Sequence, residues 1–133
     1  MSLRRFAALL LLVAGLALTL VPGTAAASNT KNVTYTIALS EADPTIGETV
    51  WFTTAYPSSM KNPSIEVSCY QSGVLVWGEI GSTTQGYLLG GDWSPWVADG
   101  GGTASCTAEL VSVSFAKRTE TITAYATADF LAT

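Results

Sequence analysis

The sequence predicts an all-β domain in which two antiparallel sheets, with about seven strands in total, pack as a sandwich. Short segments alternate apolar and polar residues, a pattern typical of strands with one side on a core. Turn-forming residues separate these segments at intervals of about 8–12 residues. After residue 27, no segment repeats its apolar residues with the period of a helix. Together these three observations favour an antiparallel β fold.

The start of the chain has the pattern of a cleavable signal peptide. Arg4 and Arg5 precede an apolar run over residues 6–21, and small residues follow it. Such a run is short for a membrane span, which needs about 20 residues. We therefore predict a signal peptide over residues 1–27, a secreted domain over residues 28–133, and no stable membrane insertion after cleavage.

The charge of the predicted domain disfavours two classes of partner. Two of the six basic residues lie in the signal peptide and all ten acidic residues lie after it, so the domain has a net charge of −6. An acidic surface repels phosphate backbones and anionic lipids. Nucleic acid and membrane surfaces are therefore not expected as partners.

The first half of the domain contains four predicted strands. Residues 33–39 alternate cleanly, and a turn around residues 41–47 leads into a strand over residues 48–55. A polar loop then precedes a strand over residues 64–71, and Ser72-Gly73 forms the turn into a returning strand over residues 74–80.

The second half is predicted to end in a hairpin. A short apolar segment at residues 87–89 leads to a Gly- and Trp-rich stretch over residues 90–102. Strands are expected over residues 103–111 and 121–131, with residues 112–120 as the connecting end of their hairpin.

The two cysteines are predicted to form a disulfide. Cys69 and Cys106 both follow the predicted signal peptide, and an even count in an oxidising compartment favours one bridge. Both lie on the apolar side of their strands, which fits a buried bond. A metal site lacks support because the chain has no histidine.

Three short motifs resemble bacterial immunoglobulin-like domains. Residues 44–52 carry the P-x-x-G-x-x-V-x-F run of the turn from strand A into strand B, residues 103–108 look like strand F, and residues 125–130 look like strand G. The resemblance implies an immunoglobulin-like sandwich. It also implies that Cys69, on strand C, would join Cys106 on strand F within one sheet.

Catalytic groups are scarce in this sequence. Without histidine, Ser-His-Asp and Cys-His sites are excluded. The carboxylates that a glycosidase-like pair would need are isolated, and we interpret them as surface charges. These are Glu66, Glu79, Asp92, Asp99 and Glu109. We expect no enzyme activity and no cofactor or metal, with a small secreted hydrolase as the remote alternative.

Aromatic residues are the better candidates for a binding site. Trp51, Tyr70 and Trp77 have the parity opposite to the aliphatic core, so we expect them to project outward. They would then offer a stacking platform for a sugar or a patch for a protein. Alternatively, they only cover sheet faces through cross-strand pairing.

The stretch over residues 90–102 has two interpretations. As a binding loop it would use Trp93 and Trp96 as anchors, with Asp92 and Asp99 as polar or Ca²⁺-ligating groups. Alternatively, the tryptophans plug the open end of the sandwich, and the glycines provide turn conformations.

These features predict a secreted or cell-surface, non-enzymatic module with a structural, adhesive or protein-binding role. The alternative is a carbohydrate-binding module that uses Trp51, Tyr70 and Trp77. The ligand would accordingly be a protein or a carbohydrate.

Overall fold

The structure, a computed structural model, describes residues 32–133. Within them the chain is all-β with antiparallel sheets, as predicted, and its one helix is a single turn. No helix in this part of the chain is long and apolar enough to cross a membrane. The predicted signal peptide lies outside the described residues.

Four strands form the larger sheet: Pro63–Gln71 (β4), Val74–Ser82 (β5), Ala104–Ala116 (β7) and Thr119–Ala132 (β8). Their order across the sheet is β5-β4-β7-β8. Pro63 is the first residue of its strand, a position that does not require a backbone donor inside the ladder. All three pairings are antiparallel.

The other strands form two short antiparallel pairs. β1 (Thr36–Leu39) pairs with β3 (Phe52–Ala55), and β2 (Thr49–Val50) pairs with β6 (Tyr87–Leu88). The single strand predicted over residues 48–55 is therefore interrupted at Trp51, where the chain changes partner. At this break the Trp51 carbonyl accepts a hydrogen bond from the Ser40 amide.

One hydrophobic core joins residues from all three sheets. Phe52 of β3 lies edge-on to Tyr87 of β6, with ring centres 5.7 Å apart, and 6.1 Å from the ring of Phe130 on β8. Ile65 and Val67 of β4 are fully buried, as their alternation predicted. Ala126 of β8, opposite the fully buried Leu110, is only half-buried.

The disulfide between Cys69 and Cys106 is present. The two residues are direct cross-strand partners on the central strands β4 and β7, and both are buried. Their Cα atoms are 4.1 Å apart, close to the spacing of a facing pair that exchanges no backbone hydrogen bonds. The bond therefore lies within one sheet, as the resemblance implied.

The hairpin of β7 and β8 is longer than predicted. Its two-residue turn is Lys117-Arg118, and both residues have positive φ. The partner strand β4 begins opposite Ser112, and Val113 still bonds Asn62, so residues 114–121 pair only with each other and form a two-stranded ribbon. Phe115 on this ribbon is exposed. Residues 112–120, expected as a connection, are mostly strand.

Candidate functional site

An open groove lies between strand β5 and the loop over residues 90–95. Its volume is about 510 Å³, within the range of about 300–1,000 Å³ typical of small-ligand sites. Leu75, Val76, Trp77 and Gly78 form one wall, and Gly90, Gly91, Asp92, Trp93, Ser94 and Pro95 form the other. Since β5 is the terminal strand of its sheet in the described part of the chain, the groove runs along a sheet edge that no strand of this part covers. We call it the β5 groove.

A β-bulge places Trp77 in this groove. Cys69 pairs with Trp77 and Tyr70 pairs with Leu75, so Val76 is an extra residue in β5. A bulge changes which side of the sheet the following side chains face. Val76 and Trp77 are consequently both buried, and Trp77 is only 8% exposed.

The expectation that Trp77 projects outward is therefore wrong. Trp77 lies on the same side of the sheet as its partner Cys69, beside the disulfide. Its indole Nε1 approaches the backbone of Gly91, 3.9 Å from the point that a Cβ would occupy there. Trp77 thus links the buried bridge to the surface of the β5 groove.

The two tryptophans of the loop have opposite environments. Trp96 lies on the one-turn helix α1 (Pro95–Ala98), is fully buried, and donates a hydrogen bond from Nε1 to the Gly102 carbonyl at 2.8 Å. Ser94 caps this helix, its hydroxyl accepting from the Val97 amide at 3.3 Å. Trp93 precedes the cap and is 97% exposed. Trp96 therefore holds the loop against the core, while Trp93 stands at the rim of the β5 groove.

Gly90 is required where this loop leaves β6. Its φ is +85°, and a Cβ there would lie 2.8 Å from Ile46 and 3.3 Å from Val97. Any larger residue would be strained and would also push these side chains away. The close approach of Gly90 to Ile46 fixes the loop beside β5.

A second groove lies on the other side of the same loop. Its volume is about 470 Å³, and Ile46, Leu89 and Val97 contribute its apolar wall. Asp92 lines both grooves. Within residues 32–133, no three acidic or cysteine side chains are placed to hold a metal ion together.

Trp51, Tyr70 and Trp77 do not form one platform. Trp51 is 51% exposed, between the two short strand pairs, and its ring lies over Gly86. Tyr70 is 42% exposed on the side of the four-stranded sheet that faces away from Cys69. Since Trp77 is buried on the core side, the three rings belong to three different environments.

Three carboxylates of the four-stranded sheet, Glu66, Glu109 and Asp129, lie on its outer side. Glu66 and Glu109 are direct cross-strand partners and are half-buried. Asp129 accepts a hydrogen bond from the Thr107 hydroxyl at 2.8 Å. This outer side therefore carries negative charge next to Tyr70, on the face opposite to the disulfide.

A buried tyrosine, Tyr87 of β6, is hydrogen-bonded to the last residue of the edge strand β5. The Tyr87 hydroxyl shares its single hydrogen between the carbonyl oxygens of Ser82, at 2.9 Å, and Ile65, at 3.2 Å. Burial, and then the nearby charge of Glu79, raise the pKa of Tyr87 to about 12. Tyr87 is therefore a neutral structural group at ordinary pH.

Comparison of the chain with protein-family models, curated proteins and solved structures finds no match. The sequence pointed to Trp93, but it gave no sign of the β5 edge or of the exposed Phe115. The position of β5 at the edge depends on the strand order. The exposure of Phe115 depends on the two-stranded ribbon, whose turn has neither the glycine nor the asparagine that would have indicated it.

Proposed function

We propose that the chain is a secreted, immunoglobulin-like, non-enzymatic module that binds a partner protein through the β5 groove. The observation that carries the proposal is Trp93, whose large apolar ring is almost entirely exposed at the rim of a groove. Tryptophan is enriched among the side chains that dominate binding energy at protein interfaces. A large exposed ring beside a concave apolar wall can therefore serve as the side chain that anchors a partner protein.

The strand order supports the immunoglobulin-like part of the proposal. Variable-type immunoglobulin domains place strands C′, C, F and G in one sheet. The order β5-β4-β7-β8 corresponds to these four strands. β1, β3, β2 and β6 then correspond to strands A, B and E of the other sheet.

Two features support secretion. The first is the signal-peptide pattern over residues 1–27. The second is the buried disulfide, since such bonds form and persist mainly in oxidising compartments. A non-enzymatic role agrees with a chain that contains no histidine.

A carbohydrate ligand is the second candidate, and Trp93 with Asp92 favours it. An indole face stacks on apolar ligand surfaces, and a neighbouring carboxylate accepts hydrogen bonds from hydroxyl groups. Both side chains line the β5 groove. A sugar platform of Trp51, Tyr70 and Trp77 is excluded as this site, because the three rings lie apart and Trp77 is buried.

The test is binding of the disulfide-intact protein over residues 28–133 to two panels, one of purified extracellular proteins and one of glycans. We expect saturable binding to a protein that Trp93→Ala weakens at least tenfold and the matched control Trp51→Ala leaves unchanged. A glycan bound with the same dependence would select the second candidate. Binding that neither variant changes would refute the role of the β5 groove.

A further inference from the structure

Strand β5 is an open edge of the four-stranded sheet. Within residues 32–133 it is the terminal strand and pairs with β4 alone. The opposite terminal strand, β8, lies beside β1, and Tyr125 of β8 stacks on Tyr35, the residue before β1, with ring centres 4.6 Å apart. The two edges therefore differ, and β5 is the one that borders a groove.

The register shows which backbone groups of β5 point outward. In an antiparallel pair, successive residues alternate between bonding the partner strand and pointing away from it. At Ser82 the amide donates to the Gln85 side chain at 3.0 Å, and the carbonyl accepts from the Tyr87 hydroxyl at 2.9 Å. Both groups of Ser82 thus point away from β4. Because the alternation has a period of two residues, the amide and carbonyl groups of Ile80 and Gly78 also point away from β4.

Ser82 is already satisfied by protein groups, whereas Ile80 and Gly78 lie further along the edge towards the β5 groove. Gly78 itself lines the groove, and with no side chain it permits close approach of another backbone. Ile80 and Leu75 provide exposed apolar side chains on either side of Gly78. β5 also has neither lysine nor proline, two residues that commonly protect edge strands.

We propose that an extended segment of the partner protein, apolar and carrying a basic residue, adds to β5 as a fifth strand. This inference rests on the proposed function and specifies how the partner is bound. Main-chain hydrogen bonds to an exposed edge, with pockets for alternate side chains, are an established mode of peptide recognition. Here Gly78 and Ile80 provide the main-chain groups, and the wall with Trp93 provides the side-chain contact.

The charges favour a basic segment rather than a second copy of this chain. Asp92 lines the groove, and Glu79 lies on β5 itself, opposite Val67 on the core side. Two β5 strands paired about a two-fold axis at Gly78 would make the two Glu79 side chains diagonal neighbours on one face, within reach of like-charge repulsion. The loop over residues 90–95 also stands beside this edge, where a single strand fits more readily than a whole sheet.

The experiment measures amide hydrogen exchange of the disulfide-intact protein with synthetic peptides. The probe is the peptide KVTVTVK together with two versions N-methylated at alternate residues, one on each edge. We expect KVTVTVK and one methylated version to slow exchange at Gly78 and Ile80 at least tenfold, while the other version has no effect. N-methylation removes donors from one edge without changing the side chains.

A matched pair of protein variants checks the same contact. Ile80→Pro removes an outward amide that bonds no neighbouring strand, so we expect it to fold and to bind KVTVTVK at least tenfold more weakly. Ile80→Val keeps the amide and an apolar side chain, so it should bind KVTVTVK at least fivefold more tightly than Ile80→Pro does. A circular dichroism spectrum like the parent's shows that Ile80→Pro is folded, and the N-methylated peptides test the contact without any variant.

Three results would overturn strand addition. One is unchanged exchange at Gly78 and Ile80 with millimolar KVTVTVK, and another is equal binding of both methylated versions. The third is protection that grows with protein concentration in the absence of peptide, because it would assign the edge to self-pairing. If a protein partner from the panel still depends on Trp93 in any of these cases, the binding module stands and only the mode of binding is wrong.

Discussion

Removing the Cys69–Cys106 bridge should destabilise the protein by about 4 kcal/mol. The bond closes a loop with a sequence separation of 37. On the chain-entropy model, −2.1 − 1.5R ln n corresponds to about 13 cal/mol/K for this loop, which is about 4 kcal/mol at 25 °C. For a domain of about 100 residues, each kcal/mol lowers the melting temperature by about 4 °C or more. We therefore expect Cys69→Ala/Cys106→Ala to melt about 15 °C lower.

The assay is thermal and urea unfolding of the double variant, followed by circular dichroism. The double variant is preferable to a single one, because it leaves no free thiol at a buried site. Its urea m-value should also rise, since an unfolded chain without the cross-link exposes more surface. Ser105→Ala is the control, as this exposed neighbour of Cys106 should change stability by less than about 0.5 kcal/mol.

Two outcomes would refute this reasoning. A melting temperature within a few degrees of the parent's would mean that the central strands hold together without the bond. A large loss of stability with an unchanged m-value would place the effect in the folded state, as lost packing around Trp77, rather than in the unfolded chain.

Three further predictions concern other parts of the structure. Trp96→Ala should lower the free energy of unfolding in urea by about 3–5 kcal/mol, because Trp96 is fully buried. Trp93→Ala should lower it by less than about 0.5 kcal/mol, because Trp93 is exposed. Similar losses in the two variants would contradict these environments. The raised pKa of Tyr87 keeps its hydroxyl protonated in the folded protein at a pH where the same hydroxyl ionises in the unfolded chain. The free energy of unfolding should therefore fall as pH rises from 10.0 to about 12, and Tyr87→Phe should flatten that decline. Replacing the turn by Lys117→Asn/Arg118→Gly should raise the free energy of unfolding by about 1 kcal/mol, because both residues have positive φ. An unchanged urea midpoint would show that this turn is not strained.

The core-facing residues of the central strands could be predicted from the sequence, because the alternation of apolar and polar residues is uninterrupted there. Ile65, Val67 and Cys69 keep one parity along β4, and Cys106 and Ala108 do the same on β7. All five are buried, as expected. The Ser72-Gly73 turn was equally readable, since its residues have the positive φ values that a two-residue hairpin favours.

The predicted side-chain directions were wrong where a β-bulge, a single extra residue, changes the register. Val76-Trp77 is a pair of adjacent apolar residues, and alternation alone does not show that one of them is a bulge. The same is true of β8, where the shift opposite Leu110 and Val111 makes Tyr125 an extra residue. The ribbon was missed for another reason, because Lys117-Arg118 has none of the glycine or asparagine by which such turns are recognised.

The candidate site was only partly predictable. Composition drew attention to the Gly- and Trp-rich loop, but the different burial of Trp93 and Trp96 depends on the cap at Ser94. The β5 groove depends on strand order, which brings residues 75–78 beside residues 90–95. Contacts between segments so far apart arise from the tertiary fold and leave no local pattern.

The position of the disulfide also has a consequence for mechanical force. Tension applied across the domain, from β1 to the end of β8, passes through Cys69 and Cys106 and bypasses the chain between them. At about 3.4 Å per residue, the sequence separation of 37 withholds about 125 Å of extension. The withheld segment contains β5, the loop with Trp93 and therefore the whole β5 groove. Under oxidising conditions this binding surface would keep its covalent closure even while the outer strands are pulled away.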